Sequence, residues 1–371
     1  RPLAEQADGA LALVGFLGFS DPPKPEATVA LARLASLGVS VKVLTGDHPA
    51  VALRVCERLG IPVAGVVTGA ELAGKRPEDL AALLSNTTVF ARVTPDQKAV
   101  LVQVARQAGK DVGFLGDGVN DVPALHAADV GISVDNATDV AKATADVVLL
   151  EKDLGVLADG ILEGRRTFAN TIKYILMATS SNFGNMFSAA GASVVLSFLP
   201  MLPTQILLNN FLYDLSELTL PGDSVDPEIV QRPAHWDIGL IRRFMIVFGP
   251  ISSLYDFLTF ALMLGPFRVD ETRFHTGWFV ESLGTQCLVI FALRTRRVPF
   301  WRSRPSLPLL VTTLAVVAAV ALPYSPLAAP LGFEPLPVGF LAALAGMVVT
   351  YVLVVEITKG WFYRRWPGLT G

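Results

Sequence analysis

The sequence changes character at Thr171, and no other feature limits its folding options as much. Up to that point charged and apolar residues mix in short periodic stretches, whereas beyond it long uncharged runs dominate. In lipid every backbone N–H and C=O must be satisfied within the segment, so runs of this length are expected to cross as helices. Six of them lie near the ~20 residues a bilayer requires: Ile172–Leu199, Thr204–Leu220, Ile241–Leu264, Thr276–Leu293, Leu307–Leu322 and Val338–Ile357. The mean hydropathy of +0.50 is too high for an ordinary soluble chain. The chain is therefore expected to divide into a soluble part at 1–155, a connecting helix or stalk at 156–170 and an all-α six-helix transmembrane domain at 171–371.

Cationic residues fall on alternate connections. Arg165, Arg166 and Lys173 flank the first run, and Arg242 and Arg243 open the third. Arg294, Arg296, Arg297, Arg302 and Arg304 separate the fourth from the fifth, and Lys359, Arg364 and Arg365 follow the sixth. The excess of Lys and Arg on one side predicts that the soluble part and the C-terminus share the cytoplasm. Trp361, Tyr363 and Trp366 fit an interfacial aromatic belt. Cys56 and Cys287 lie on opposite sides of Thr171 in apolar surroundings, so neither a disulfide nor a metal site is expected from them. No basic block interleaved with aromatics points to nucleic acid. The start at Arg1-Pro2-Leu3 suggests a piece of a longer chain.

Within the soluble part, Leu11–Phe19 reads as a buried strand, followed by Ser20-Asp21-Pro22-Pro23-Lys24 and a helix from Pro25 with apolar Val29, Leu31, Leu34 and Leu37. Val39–Leu44 is the next strand, and the helix after Thr45-Gly46-Asp47 stops at Gly60. The alternation continues with a strand at Thr88–Ala91, a helix at Pro95–Ala108 and a strand at Val112–Leu115. A helix after Asp121 and strands at Val130–Val134 and Val147–Leu150 complete it. Such alternation predicts βαβ units, an α/β fold and a mostly parallel sheet.

Three stretches then fall at strand ends on one edge, where open α/β sheets bind ligands. Thr45-Gly46-Asp47 offers a hydroxyl and backbone N–H groups to a phosphate, or simply an N-cap. Lys98 sits in the first turn of its helix, where the dipole disfavours it. Neutralising a phosphate would explain it, and a solvated surface lysine is the plain alternative. Gly116-Asp117-Gly118-Val119-Asn120-Asp121 brings two carboxylates and an amide to a turn, hard oxygen ligands suited to Mg²⁺ beside a phosphoryl group. Alone, it could equally be a glycine turn with solvated acids.

The first two apolar runs carry many polar residues: Ser180, Ser181, Asn182, Asn185 and Ser188, then Asn209, Asn210, Asp214, Ser216 and Glu217. Asn210, Asp214 and Glu217 at i, i+4, i+7 are expected on one helical face. A carboxylate at mid-bilayer costs at least ~2.5 kcal/mol, so an ion site or proton relay is its first reading. Helix–helix hydrogen bonding is the competing reading for the asparagines and serines. Asp256 is ambiguous, and Glu281 is expected near an interface.

Taken together, the motifs resemble the C-terminal half of a P-type ATPase. Thr45-Gly46-Asp47, Thr94-Pro95-Asp96-Gln97-Lys98 and Gly116-Asp117-Gly118-Val119-Asn120-Asp121 match that family's phosphorylation-domain motifs in order and spacing. Asp21-Pro22-Pro23-Lys24 resembles its Asp-Pro-Pro segment. The membrane half is most similar to the bacterial magnesium-importing subfamily, through Ser181-Asn182-Phe183-Gly184-Asn185, Leu208-Asn209-Asn210-Phe211-Leu212-Tyr213-Asp214, Arg243-Phe244-Met245, Gly249-Pro250-Ile251-Ser252-Ser253 and Arg294-Thr295-Arg296-Arg297-Val298-Pro299-Phe300.

The resemblance implies a haloacid-dehalogenase-like, Rossmann-type parallel sheet, ATP as substrate, catalytic Mg²⁺, Mg²⁺ as transported ion and a multi-pass protein of the bacterial plasma (inner) membrane. It implies that Asp117 ligates the catalytic Mg²⁺, with Asp121 and Asn120 shaping its surroundings. Thr45, Gly46 and Lys98 would contact the phosphoryl group, and Asp47 the nucleotide or the Mg²⁺ surroundings. Asn182, Asn185, Asn210, Asp214 and, more weakly, Glu217 would form part of the transport site. His48 stands where related pumps carry Asn, with little effect expected. The family's phosphorylated Asp-Lys-Thr-Gly-Thr segment is missing from this sequence. Because that segment holds the central strand, the sheet is expected to be incomplete, with a gap or unpaired seam. The isolated chain is expected neither to hydrolyse ATP nor to pump. The alternatives are a pump for Ca²⁺ or H⁺, or a non-catalytic truncated membrane protein.

Overall fold

A computed structural model describes residues 14–15, 24–151 and 153–366. The strand expected at Leu11–Phe19 falls outside the described residues apart from Val14 and Gly15, and so do Asp21, Pro22 and Pro23. Two compact units meet between Asp159 and Gly160.

In the first unit, α1 (Pro25–Ser36) begins at a proline and buries Ala30 and Leu34 one turn apart. Gly38, in the left-handed region, carries the chain on to β1 (Val43–Leu44). The helix α2 (Pro49–Leu59) ends at Gly60, also left-handed. Then come β2 (Val66–Thr68), α3 (Gly69–Leu72), α4 (Pro77–Asn86), β3 (Val89–Ala91) and α5 (Pro95–Gln107). The strands β4 (Gly113–Leu115), β5 (Val130–Val134) and β6 (Val147–Leu149) alternate with α6 (Val122–Ala127) and α7 (Asp139–Thr144).

All strand pairs are parallel, as the alternation predicts, yet they form two three-stranded sheets, ordered β1-β3-β2 and β4-β5-β6. Among the described residues neither β1 nor β4 has a second partner. The helix α5 packs on both sheets. Its Leu101 and Val104 join Val67, Phe90 and Val93 on one side, and its Val102 joins Ala124, Ala127 and Phe114 on the other.

In the second unit, helices stand at all six expected positions. They are α8 (Gly155–Val195), which starts just before the unit boundary, α9 (Pro203–Glu217), α11 (Ile238–Leu264), α12 (Glu271–Leu293), α13 (Leu307–Val317, continued as a 3-10 segment to Tyr324) and α14 (Val338–Arg365). A four-residue α10 (Pro227–Val230) lies in the connection before α11. Among the described residues four helices are long and apolar enough to cross a membrane: α11, α12, α13 with its extension, and α14. The first two expected spans are not among them. With 41 residues α8 is ample in length but too polar, and the 15-residue α9 rises only ~22 Å before Pro221 enters a 3-10 turn.

Nearly all of α12 is enclosed, whereas α13 and α14 present most of their surface outward. Beyond its C-terminal end, the Arg294 guanidinium grips Asp223 through Nε at 2.7 Å and Nη2 at 3.3 Å, and donates to the carbonyls of Ser303 and Arg304. Both side chains are fully buried. Removing one partner of such a pair leaves a stranded charge, worth about 3–5 kcal/mol. The Lys173 ammonium, 3.6 Å from Asp223, offsets part of that loss. Arg294→Ala should therefore destabilise the protein by about 3 kcal/mol, read as a lowered midpoint of thermal unfolding in detergent; an unchanged midpoint would refute the anchoring role.

Candidate functional site

Beyond β1, Thr45 continues the pairing with β3, its N–H donating to the Phe90 carbonyl at 2.9 Å. Its hydroxyl donates to Asp47 Oδ2 at 3.0 Å and accepts from the Asp47 N–H at 3.1 Å. The His48 imidazole then caps α2 by accepting from the Ala50 N–H. The Thr-Gly-Asp turn is thus self-bonded and exposed, with the cap supplied by His48 rather than by Thr45 or Asp47.

Beyond β3, Thr94 and Gln97 form a reciprocal capping box that starts α5. One residue on, Lys98 Nζ donates to Asp121 Oδ1 at 2.7 Å, and both side chains are nearly buried. This pairing accounts for a lysine placed against the helix dipole. Asp121 also receives the Gly118 N–H on its other oxygen at 3.3 Å. A Cβ on Gly116 would lie 2.5 Å from that of Asp121, so the tight fold-back after β4 requires glycine there.

Asp117 and Asn120 are exposed. The Asp117 carbonyl accepts from the Thr138 N–H at 3.0 Å, which fixes the loop and leaves its carboxylate without a partner among the described residues. The structure therefore brings Lys98 together with Asp121. No hydrogen bond or ion pair among the described residues joins the Thr45–Asp47 turn to the Asp117–Asp121 loop. Nor do three His, Cys, Asp or Glu side chains converge there as a metal cluster. An exposed carboxylate can take a cation, and an ammonium an anion.

In the second unit the helical wheel resolves differently from expectation. The buried stripe of α9 is Gln205, Asn209, Tyr213, Ser216 and Glu217, whereas Asn210 and Asp214 are exposed. Glu217, about 60° round the helix from Asp214, is buried together with Tyr213 and Ser216, whereas Asp214 is exposed. Both Glu217 carboxylate oxygens are buried without a hydrogen-bond partner. Asn182 is also exposed, and half-buried Asn185 accepts from Gln286 Nε2 at 3.1 Å. Gln286 bonds Ser282 as well, which in turn accepts from Asn209 Nδ2 at 3.1 Å. Glu281, expected near an interface, is enclosed in the middle of α12. Ser282 and Gln286 escaped the sequence reading; their signal was two polar residues four apart within an apolar run.

A model of the C-terminus of cation-transporting ATPases matches residues 198–361, and two models of haloacid dehalogenase-like hydrolases match 3–129 and 100–161. A magnesium-transporting P-type 1 ATPase of Salmonella typhimurium is 47% identical over 361 residues, covering 96% of this chain. The chain belongs to the P-type ATPases. A second magnesium-transporting P-type ATPase, from Escherichia coli, is 46% identical over 368 residues. A probable cation-transporting ATPase F of Mycobacterium tuberculosis is 39% identical over 256 residues. The chain spans 40% of the length of the Salmonella relative and 41% of the Escherichia one. For a P-type ATPase, the haloacid dehalogenase-like match coincides with the unit that carries Lys98 and Asp121, and the cation-transporter match with α9 to α14.

The Asn185–Gln286–Ser282–Asn209 chain ties α8, α12 and α9 together. Gln286→Leu should cost about 1–2 kcal/mol. Thermal unfolding of the detergent-solubilised protein reads this directly, and a more stable variant would contradict the network.

Proposed function

We propose that this chain forms the C-terminal part of an ATP-driven pump that moves Mg²⁺ into the bacterial cytoplasm through an aspartyl-phosphate. The reading is carried by the 47% identity to a magnesium-transporting ATPase over 96% of the chain. The geometry of the first unit supports it. Asp117, exposed and with its carboxylate unpartnered among the described residues, would hold the catalytic Mg²⁺, whose chemistry is to neutralise charge on the phosphoryl group. Asp121, with both oxygens engaged, would orient Lys98, and the Lys98 ammonium would turn to the phosphoryl oxygens as they arrive. Asn120, Thr45, Gly46 and Asp47 would complete the phosphate and nucleotide surroundings. The soluble unit and the C-terminus would lie in the cytoplasm, as the alternation of cationic connections favours.

In the membrane unit, Asn182, Asn210 and Asp214 sit on exposed faces of α8 and α9. Amide and carboxylate oxygens facing outward suit an ion site completed by further membrane helices of the pump. Mg²⁺ sheds water reluctantly, and few carboxylates with several amides fit a partly hydrated ion. The similarity to a probable cation-transporting ATPase of unspecified ion keeps Ca²⁺ or H⁺ as the second reading. ATPase activity of the full-length protein stimulated by Ca²⁺, with no Mg²⁺ uptake into vesicles, would favour that reading.

In the full-length pump, Asp117→Asn should abolish phosphoenzyme formation from labelled ATP, and normal labelling would remove Asp117 from the metal role. Asp214→Ala should leave phosphorylation from inorganic phosphate intact but eliminate Mg²⁺ uptake; growth of a magnesium-starved strain carrying only this variant would count against the site.

A further inference from the structure

We propose that Asp256 on α11 and Glu281 on α12 form a proton-binding site inside the membrane-spanning unit, with one proton held between the two carboxyl groups. The site is separate from the residues assigned to Mg²⁺ above and does not depend on the reaction of the soluble unit. Asp256 is 2% exposed and Glu281 1%, and their carboxyl groups lie within hydrogen-bonding reach of each other. Two ionised carboxylates that close repel strongly, and the interior offers little screening.

Counting donors shows what can hold them together. Ser188 Oγ on α8 donates to Asp256 Oδ2 at 2.6 Å, and Trp278 Nε1 on α12 donates to Asp256 Oδ1 at 2.8 Å. Both of these donors are spent on Asp256, and the Thr285 hydroxyl beside Glu281 donates its single hydrogen to the Glu281 backbone carbonyl at 2.9 Å. Glu281 Oε2 is buried with no hydrogen-bond partner. The phenol of Tyr351 on α14 interacts with both carboxyl groups, and its ring meets that of Tyr255 on α11 edge-on at 5.2 Å. No Lys, Arg or His forms an ion pair with either carboxyl among the described residues. An ionised carboxylate only accepts, so the contact lacks a donor unless one partner carries a proton. Glu281 is the partner with a buried, unsatisfied oxygen; its hydroxyl supplies the bond and Asp256 accepts it.

The backbone makes the site a built one. One turn earlier on α8 and two turns earlier on α11, a Cβ on Gly184 would lie 3.1 Å from the Gly249 carbonyl, and Ser253 Oγ donates to the Gly184 carbonyl at 3.0 Å. That close crossing is what allows Ser188 to reach Asp256.

Infrared spectroscopy of the full-length protein in liposomes tests this. The wild type should show a protonated-carboxyl carbonyl band that shifts in D₂O and is missing from Glu281→Gln, whose amide can donate to Asp256 in place of the acid. Trp278→Phe, which removes one donor from Asp256, should move the band without abolishing it. Glu281→Gln should also unfold at a temperature close to the wild type. Identical wild-type and Glu281→Gln spectra in the carboxylic-acid region would overturn the proposal. So would a missing band combined with thermal stabilisation by Na⁺ or K⁺ that Glu281→Gln abolishes, which would assign the pair to a metal cation.

Discussion

The first unit depends on a single helix used on two sides. Among the described residues neither three-stranded sheet reaches the other by strand pairing, so what holds them together there is side-chain packing. Leu101 and Val104 of α5 enter one apolar cluster and Val102 the next. The first turn of the same helix carries Lys98, whose ion pair to Asp121 joins the end of β3 to the loop beyond β4. A cation in that turn opposes the helix dipole by roughly 0.3–1 kcal/mol. A largely enclosed carboxylate at 2.7 Å more than offsets this. The pair stands where parallel sheets present ligands, so packing and chemistry share one residue.

In the second unit, α12 has no lipid-facing stripe to set its rotation, being enclosed all round. Its polar residues do that work instead. Ser282 accepts from Asn209 on α9, Gln286 donates to Asn185 on α8, and Glu281 meets Asp256 on α11. Each bond addresses a different neighbour, so a one-residue slip of α12 would strand several polar groups at once. Individually such bonds contribute ~0.6 kcal/mol in a membrane, but together they penalise every alternative register.

Much of this was legible in the sequence, for reasons visible residue by residue. Proline at the first turns of α1, α2 and α5, and left-handed Gly38 and Gly60, are local signals that tertiary contacts do not override. Lys98 betrayed a partner because its position was unfavourable without one. By contrast, β2 is three residues long and carries no periodicity. The identity of the Lys98 partner, the split into two sheets and the enclosure of Glu281 all depend on contacts distant in sequence. On α9 the seven-residue spacing keeps Asn210 and Glu217 within about 20° of one face, yet the first is exposed and the second buried; the neighbours along the helix, not its rotation, enclose the last of them.

The exposed polar stripe on α8 and α9 carries an energetic requirement of its own. An ionised carboxylate against acyl chains near mid-bilayer costs about 2.5–3.5 kcal/mol, and exposed amides add to that. Asp214, Asn210 and Asn182 occupy helices flanked by outward-facing Leu207, Phe211, Leu215, Met186 and Phe187. A surface with apolar margins and a polar centre is poorly suited to lipid alone and equally poorly suited to water alone. It suits protein that seals the margins and leaves the oxygens facing a confined, hydrated ion. The acids of Asp256 and Glu281 meet the same cost by the opposite route, full enclosure with every available donor committed.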